Sequence, residues 1–206
     1  MKSEMIEQLI KEGFLKTNEV IQAFKKVDRR LFMAEKYEKY AYLDEPFPIP
    51  PFDGNHTISA PHTYAIYYES LELKKGDFFL EIGSGSGYGL ALAREIVGSS
   101  GKVVGVEINK QTFDFCKRNI SKAGYDDIVI LNADGKKIIT DFMPYDKIAV
   151  TASAKKIPEI LIEQLKFGGK MLIPLGSGMV QELTLVEKKD KIIKKTINFV
   201  RYVPLV

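Results

Sequence analysis

The chain has 206 residues, 45% of them hydrophobic, enough to bury one core of ordinary domain size. Thirty Lys plus Arg against 27 Asp plus Glu leave a net charge of +3, and the basic residues are scattered apart from 188–195, which argues against a nucleic-acid partner. A single cysteine, Cys116, excludes an internal disulfide; no apolar run approaches the roughly 20 residues that cross a bilayer; and Met1-Lys2-Ser3-Glu4 leads into a charged helix instead of an apolar signal core, so a cytoplasmic protein without membrane association is expected.

Met5, Ile6, Leu9 and Ile10 recur at three- and four-residue spacing until Gly13, and Val20, Ile21, Phe24 and Val27 repeat the pattern. Both predict short helices, packed on the main domain, up to about Tyr40. Pro46, Pro48, Pro50, Pro51 and Pro61 then deny regular helix over 41–61, while Phe47, Ile49 and Phe52 favour an ordered loop over a solvated linker. A helix is predicted at about 63–71. After it, strands at 78–82, 103–106, 128–131, 148–151 and 171–175 alternate with helices at 88–97, 110–123 and 158–165. Gly124 and Lys166-Phe167-Gly168-Gly169 stand where helices should stop. Strands that are nearly all apolar and separated by helices imply a parallel sheet covered on both faces. Leu183, Leu185 and Ile192, Ile193, Ile197, Phe199 flank the polar turn Lys188-Lys189-Asp190-Lys191 without a helix between, which predicts an added antiparallel hairpin. The fold class is α/β: a doubly wound, mostly parallel seven-stranded sheet, Rossmann-like, with N-terminal helices and a C-terminal antiparallel hairpin.

Glu81-Ile82-Gly83-Ser84-Gly85-Ser86-Gly87-Tyr88 closes the first strand of this series, where a doubly wound sheet commonly places its ligand. The glycines let the backbone turn tightly and approach a ligand, and the helix beginning near Tyr88 offers free N–H groups. Three known chemistries fit poorly. The nicotinamide fingerprint Gly-x-Gly-x-x-Gly meets Tyr88 where its third glycine should be; no Gly-Lys-Ser/Thr ends the loop as in a P-loop; and Ser84 and Ser86 are each offset by one from a nucleophile elbow.

Glu81 decides between the remaining ligands, because a carboxylate at the strand end repels a pyrophosphate and attracts the ammonium of a methionine moiety. Glu107, at the end of the second strand, can accept both ribose hydroxyl protons, and Ile108 can cover one face of an adenine. Asp134-Gly135, at the end of the third, offers a carboxylate for the adenine amino group and a residue too small to obstruct the ring. Any one of these acids alone is as readily a solvated or capping residue. Together with Gly83, Ser84 and Gly85 they predict S-adenosyl-L-methionine as cofactor and a methyltransferase as the enzyme.

Asn55-His56-Thr57-Ile58-Ser59-Ala60-Pro61-His62 combines two histidines and a serine before a helix. Ser59 or Thr63 can cap that helix, with Pro61 in its first turn. The six-residue separation of His56 and His62 and the remote Cys116 give no support to a metal site.

From about Val27 to the last residue the chain resembles the protein L-isoaspartyl (D-aspartate) O-methyltransferase family. The resemblance rests on Tyr42-Leu43-Asp44-Glu45-Pro46-Phe47-Pro48-Ile49, on Thr57-Ile58-Ser59-Ala60-Pro61-His62 and on Leu80-Glu81-Ile82-Gly83-Ser84-Gly85-Ser86-Gly87-Tyr88. It continues through Asp134-Gly135, Pro144-Tyr145-Asp146-Lys147-Ile148, Leu165-Lys166-Phe167-Gly168-Gly169 and Val200-Arg201-Tyr202-Val203-Pro204-Leu205-Val206. The Thr-Ile-Ser-Ala-Pro-His run is specific to that family, whereas many methyltransferases share the glycine loop.

The resemblance implies a class I methyltransferase fold. It implies methyl transfer to the free α-carboxylate of L-isoaspartyl residues in damaged proteins and peptides, leaving S-adenosyl-L-homocysteine and an ester that can recyclise to succinimide. Ser59 matches the family's active-site serine and orients the carboxylate, with Thr57 and Ile58 lining the junction with the cofactor. The C-terminal stretch closes over the peptide site, and Gln181 reaches the cofactor there. His56 and Asn55 depart from the family, which has glutamine or a small residue and glycine at these places. A methyltransferase of a small molecule or RNA, or a non-catalytic cofactor- or partner-binding module, stands as the alternative. One domain over 1–206, acting as a monomer, is expected, with N-terminal helices and substrate loop at 1–62, the cofactor-binding core at 63–175 and a β extension at 176–206.

Overall fold

The structure, a computed structural model, describes residues 1–137 and 142–205; Val206, the end of the C-terminal motif, lies outside the described residues. Helices α1 (Lys2–Lys11) and α2 (Asn18–Lys26) bury Met5, Ile6, Leu9, Val20, Ala23 and Phe24, while Ile10 of the predicted stripe faces solvent. Two 3₁₀ turns, Arg29–Phe32 and Glu35–Tyr40, lead into the proline-rich segment. That segment is ordered. Strands β1 (Phe47–Pro48) and β2 (Thr57–Ile58) pair antiparallel, Phe47 opposite Ile58, and Ile49 is fully buried. Helix α3 (Pro61–Leu71) starts two residues earlier than expected, with Pro61 in its first turn and no side chain capping it. Neither Ser59 nor Thr63 therefore serves as a cap.

The main sheet runs in the order β5-β4-β3-β6-β7-β8-β9, from β3 (Phe78–Ile82), β4 (Lys102–Glu107), β5 (Val129–Asn132), β6 (Tyr145–Val150), β7 (Leu165–Leu175), β8 (Gln181–Lys188) and β9 (Ile192–Val200). The first five strands are parallel; β8 and β9 form the expected antiparallel hairpin. Strand order reverses between β3 and β6, so the crevice at their carboxyl ends is where a ligand is received. Alternation along each strand divides the core in two. Phe79 and Val103 pack beneath α4 (Tyr88–Val97) and α5 (Lys110–Lys122), whereas Leu80, Ile82, Val104 and Val106 face the other layer with α6 (Glu159–Gln164). By the same alternation Glu81 and Glu107 point to the α4 face.

Predicted boundaries shift in several places: β6 begins three residues before the expected 148, and the largest miss is at the junction of α6 and β7. The helix expected at 158–165 covers only Glu159–Gln164, and Leu165-Lys166-Phe167-Gly168-Gly169 begins β7 instead of closing a helix. Lys188 Nζ explains the early stop: it donates to the carbonyls of Ile162 at 2.7 Å, Glu163 at 3.3 Å and Leu165 at 2.7 Å, satisfying the last turn from β8. Gly169 then serves close packing, since a Cβ there would lie 3.0 Å from the Asp146 carbonyl oxygen. Among the described residues no helix is long and apolar enough to cross a membrane, and no group of three His, Cys, Asp or Glu is placed to hold a metal.

Candidate functional site

A cavity of about 970 Å³ opens at the carboxyl ends of β3, β4 and β6. The glycine loop, Glu81, Glu107, Ile108 and Gly135 line its floor; Thr57, Ser59, His62 and Tyr64 line one wall, and 198–205 the other.

The floor is built by the sheet. Gly83 N and Ser84 N both donate to the Val106 carbonyl, at 2.8 and 3.1 Å, so β4 holds the loop where it leaves β3. Gly83 adopts a φ of 89°, and a Cβ there would stand 2.4 Å from Thr151 Oγ1. Only glycine fits this turn. Thr151 Oγ1 donates to the Gly83 carbonyl at 2.7 Å, closing the loop from β6. Gly85 N donates to Glu107 Oε2 at 3.1 Å, and Asn109 N to Glu107 Oε1 at 3.0 Å, which fixes that carboxylate at the strand end.

Glu81 is 3% exposed, and its Oε1 lies 2.5 Å from where a Cβ on Gly89 would sit. Glycine inside α4 is thus the space into which this carboxyl turns. Oε2 has no hydrogen-bond partner among the described residues, and neither does the buried Ser84 Oγ. Burial, and next the charge of Glu107, push the Glu81 carboxyl up to about 8. A buried carboxyl with an unpaired oxygen, on the floor of a cavity, suits a cationic ligand. The ammonium of S-adenosyl-L-methionine fits that requirement. Tyrosines brace the surroundings: Tyr68 Oη donates to the Gly89 carbonyl and Tyr67 Oη to the Val150 carbonyl, each at 2.7 Å.

Alternation in β2 sorts the substrate motif. Thr57 and Ser59 line the cavity, whereas Ile58 is 0% exposed and belongs to the core. Ser59 is held by its main chain, which donates to Tyr64 Oη at 3.3 Å and accepts from Arg29 at 2.9 Å. His62 gives its N–H to Asp44 at 2.9 Å and sets Nδ1 at 2.9 Å from the other carboxylate oxygen. Burial pushes Asp44 up, but these hydrogen bonds outweigh it and hold the acid below its ordinary value. His56 is paired in the same way with Asp53, whose carboxyl that contact draws down to about 2.

Other predicted residues sit differently. Asp134 is half-buried, accepts from Lys136 N at 2.9 Å and stands behind the cavity wall; Ile108, 47% exposed, lies on its rim. Gly135 does line the cavity, yet its small size is required by packing, since a Cβ there would meet Ile82 Cγ2 at 2.3 Å. Gln181 is buried and binds the C-terminal stretch, accepting from Tyr202 N at 2.8 Å and donating to the Gly178 carbonyl at 2.7 Å. Ser153 holds the same stretch through Val203 and Leu205, both at 2.8 Å. Arg29, Thr151 and Gly89 carry no motif.

The family described as protein-L-isoaspartate(D-aspartate) O-methyltransferase (PCMT) matches residues 1–206. Protein-L-isoaspartate O-methyltransferase 1 of Archaeoglobus fulgidus is 44% identical over 204 residues, covering 99% of this chain and 93% of the relative. A protein-L-isoaspartate O-methyltransferase of Pyrococcus horikoshii is also 44% identical over 204 residues, covering 98% and 90%. The crystal structure of a chain described as a protein-L-isoaspartate O-methyltransferase from Plasmodium falciparum, in complex with S-adenosyl-L-homocysteine, superposes with a TM-score of 0.87 at 30% identity, over 100% of this chain and 97% of that one.

Proposed function

The chain belongs to the protein-L-isoaspartate(D-aspartate) O-methyltransferase family, and we propose that its cavity receives the cofactor on the sheet side and the isoaspartyl residue on the Ser59 side. The enzyme moves a methyl group from S-adenosyl-L-methionine to the free carboxylate of L-isoaspartyl residues in damaged proteins. One observation carries the two-sided reading: Ser59, which caps no helix, and Glu81, whose Oε2 is unpaired, line the same cavity.

S-adenosyl-L-methionine supplies a methyl group made electrophilic by the sulfonium to which it is bound. A substrate carboxylate, with a reference pKa near 4, is ionised at neutral pH and needs no general base. The protein's task is therefore to place one carboxylate oxygen in line and to exclude water. Ser59 Oγ donates to that carboxylate and orients it. Thr57 lines the junction between the two ligands and Ile58 backs it from the core. Glu81 takes the ammonium; Gly83, Ser84 and Gly85 give the methionine moiety its close backbone surface. Glu107 accepts the ribose hydroxyls, Ile108 covers the adenine, and Gly135 borders its amino edge; Asp134, which does not line the cavity, holds the turn at Lys136. The C-terminal stretch 201–205 closes the cavity over the peptide. The reading also takes the enzyme to act as a cytoplasmic monomer on proteins and peptides, without membrane or nucleic acid, in keeping with a net charge of only +3.

Labelled methyl transfer tests the assignment. An isoaspartyl peptide is labelled and its aspartyl twin is not, and Ser59→Ala loses turnover while keeping cofactor affinity. Equal labelling of the two peptides, or full turnover by Ser59→Ala, overturns the site.

A further inference from the structure

The segment that forms the substrate wall has a structural difficulty of its own. Over 41–48 it makes only one two-residue strand, and Pro46 and Pro48 contribute no N–H, so its carbonyls lack the partners a sheet or helix supplies. Arg29 is the answer to this. Its guanidinium is 0% exposed and donates from Nη1 to the carbonyls of Ala41 at 2.8 Å and Leu43 at 3.2 Å. From Nη2 it donates to Glu45 at 2.9 Å and to Ser59 at 2.9 Å. The side chain also lies against the Phe47 ring, 5.8 Å from its centroid.

Two features separate this from ordinary core packing. The four acceptors come from two stretches of chain that otherwise meet through the β1–β2 pair and the Asp44–His62 contact, and both border the cavity, through Pro46 and through Ser59. Among the described residues the cation also has no carboxylate of its own: Asp44, whose charge it feels, is already bound to His62. A buried charge without a counter-ion is costly, and neutral apolar side chains fill a core more cheaply. What a guanidinium alone offers is a rigid planar fork that serves several carbonyls at once.

We propose that Arg29 is a positioning residue for methyl transfer: by gripping the Ser59 carbonyl together with those of Ala41, Leu43 and Glu45, it sets where the Ser59 hydroxyl stands relative to the floor of the cavity. The proposal rests on the reading of Ser59 as the residue that orients the substrate. Arg29 touches neither ligand and acts through the main chain. A lysine keeps the charge but replaces the planar fork with a single ammonium. A displacement of about 1 Å in a reacting group costs on the order of 100-fold in rate.

Arg29→Lys, assayed on the full chain with isoaspartyl peptide at saturating cofactor, is expected to lose kcat by on the order of 100-fold. Its cofactor affinity, measured by titration calorimetry, should stay within about twofold, because Glu81 and Glu107 are held by the sheet. Wild-type kcat in Arg29→Lys overturns the proposal. So does a loss of cofactor affinity that matches the loss of kcat, since that is general destabilisation. Should the lysine variant fail to fold, Arg29→Gln, which brings no charge into the interior and keeps two donors, is put to the same two measurements. Failure of both to fold overturns the proposal by making Arg29 a requirement of the fold. Ser59→Ala is run beside them. If it keeps wild-type kcat while Arg29→Lys does not, the serine reading fails alone; if it loses kcat and Arg29→Lys does not, the positioning proposal fails alone.

Discussion

The floor and the wall of the cavity are built by different means. On the floor, Glu81 lies in register between Gly105 and Ala149 on the neighbouring strands, and Glu107 opposite Asn132, so each carboxylate inherits its place from a parallel sheet. On the wall, Ser59 follows a strand of two residues and is set by side chains reaching over from elsewhere: Arg29, Tyr64 and the Asp44–His62 pair. A sheet distributes the work over many main-chain hydrogen bonds, so deleting one side chain leaves its geometry standing. A wall tied by individual side chains can be loosened one tie at a time. Damage to the floor is therefore expected in cofactor affinity, and damage to the wall in the handling of peptide.

The largest effect falls on the floor. Glu81→Gln removes the partner of a buried ammonium and is expected to weaken cofactor binding by about 2 to 5 kcal/mol, roughly 30-fold or more, with the melting temperature of the cofactor-free protein unchanged or raised. Binding within a few-fold of wild type would break the assignment of Glu81. Gly135→Ala, whose new methyl meets Ile82 Cγ2 at 2.3 Å, is expected to cost about 1 to 3 kcal/mol of stability, roughly 2–4 °C in melting temperature for each kcal/mol. An unshifted melting curve would show that the end of β3 yields, and that the glycine is kept for the ligand after all.

A pH series sharpens the same contrast. With its carboxyl pushed up to about 8, Glu81 is protonated in the cofactor-free enzyme at neutral pH, and pairing with an ammonium requires that proton to leave. Cofactor affinity should rise about tenfold for each unit between about pH 6 and about pH 7.5, and level off near 8. Stability of the cofactor-free protein runs the opposite way. The native state holds a proton that the unfolded chain has already released, so this group's contribution declines as pH rises from 4.5 towards about 8. Calorimetry and melting curves across the range check both slopes, and both should vanish in Glu81→Gln; a flat affinity profile in the wild type sinks the coupling.

The same division governs what could be read from the sequence. Strands such as Phe78–Ile82 announce themselves by apolar runs broken at most by one polar residue, and the glycine loop follows at a spacing that only a few chemistries share, so the floor was legible from local signals. The expected helix at 158–165 ran on too far because its stop is Lys188 Nζ, a residue of β8 that no local pattern connects to it. Ser59 was recognisable only by resemblance, and a helix cap was an equally good account until α3 was seen to start at Pro61 without one. Arg29 was invisible. Its partners are four main-chain carbonyls, 12 to 30 residues away, and a carbonyl has no sequence signature.

The smallest effect is expected at the other tie of the wall. In Asp44→Asn the amide oxygen can still accept the His62 main-chain N–H, but the charge opposite His62 Nδ1 is gone, so one hydrogen bond weakens and the other persists. A net change of about 1 kcal/mol follows, which corresponds to roughly fivefold in the KM for an isoaspartyl peptide. Cofactor affinity should not move, because no floor residue contacts this pair. Nor should kcat move far, because the main-chain grip of Arg29 on Ser59 is left in place. A change confined to peptide KM would mean that the wall has two ties with separate duties, one that seats the peptide and one that aligns it. A parallel loss of cofactor affinity would mean that floor and wall move as one body, and the contrast between them would then describe how they are built without describing how they work.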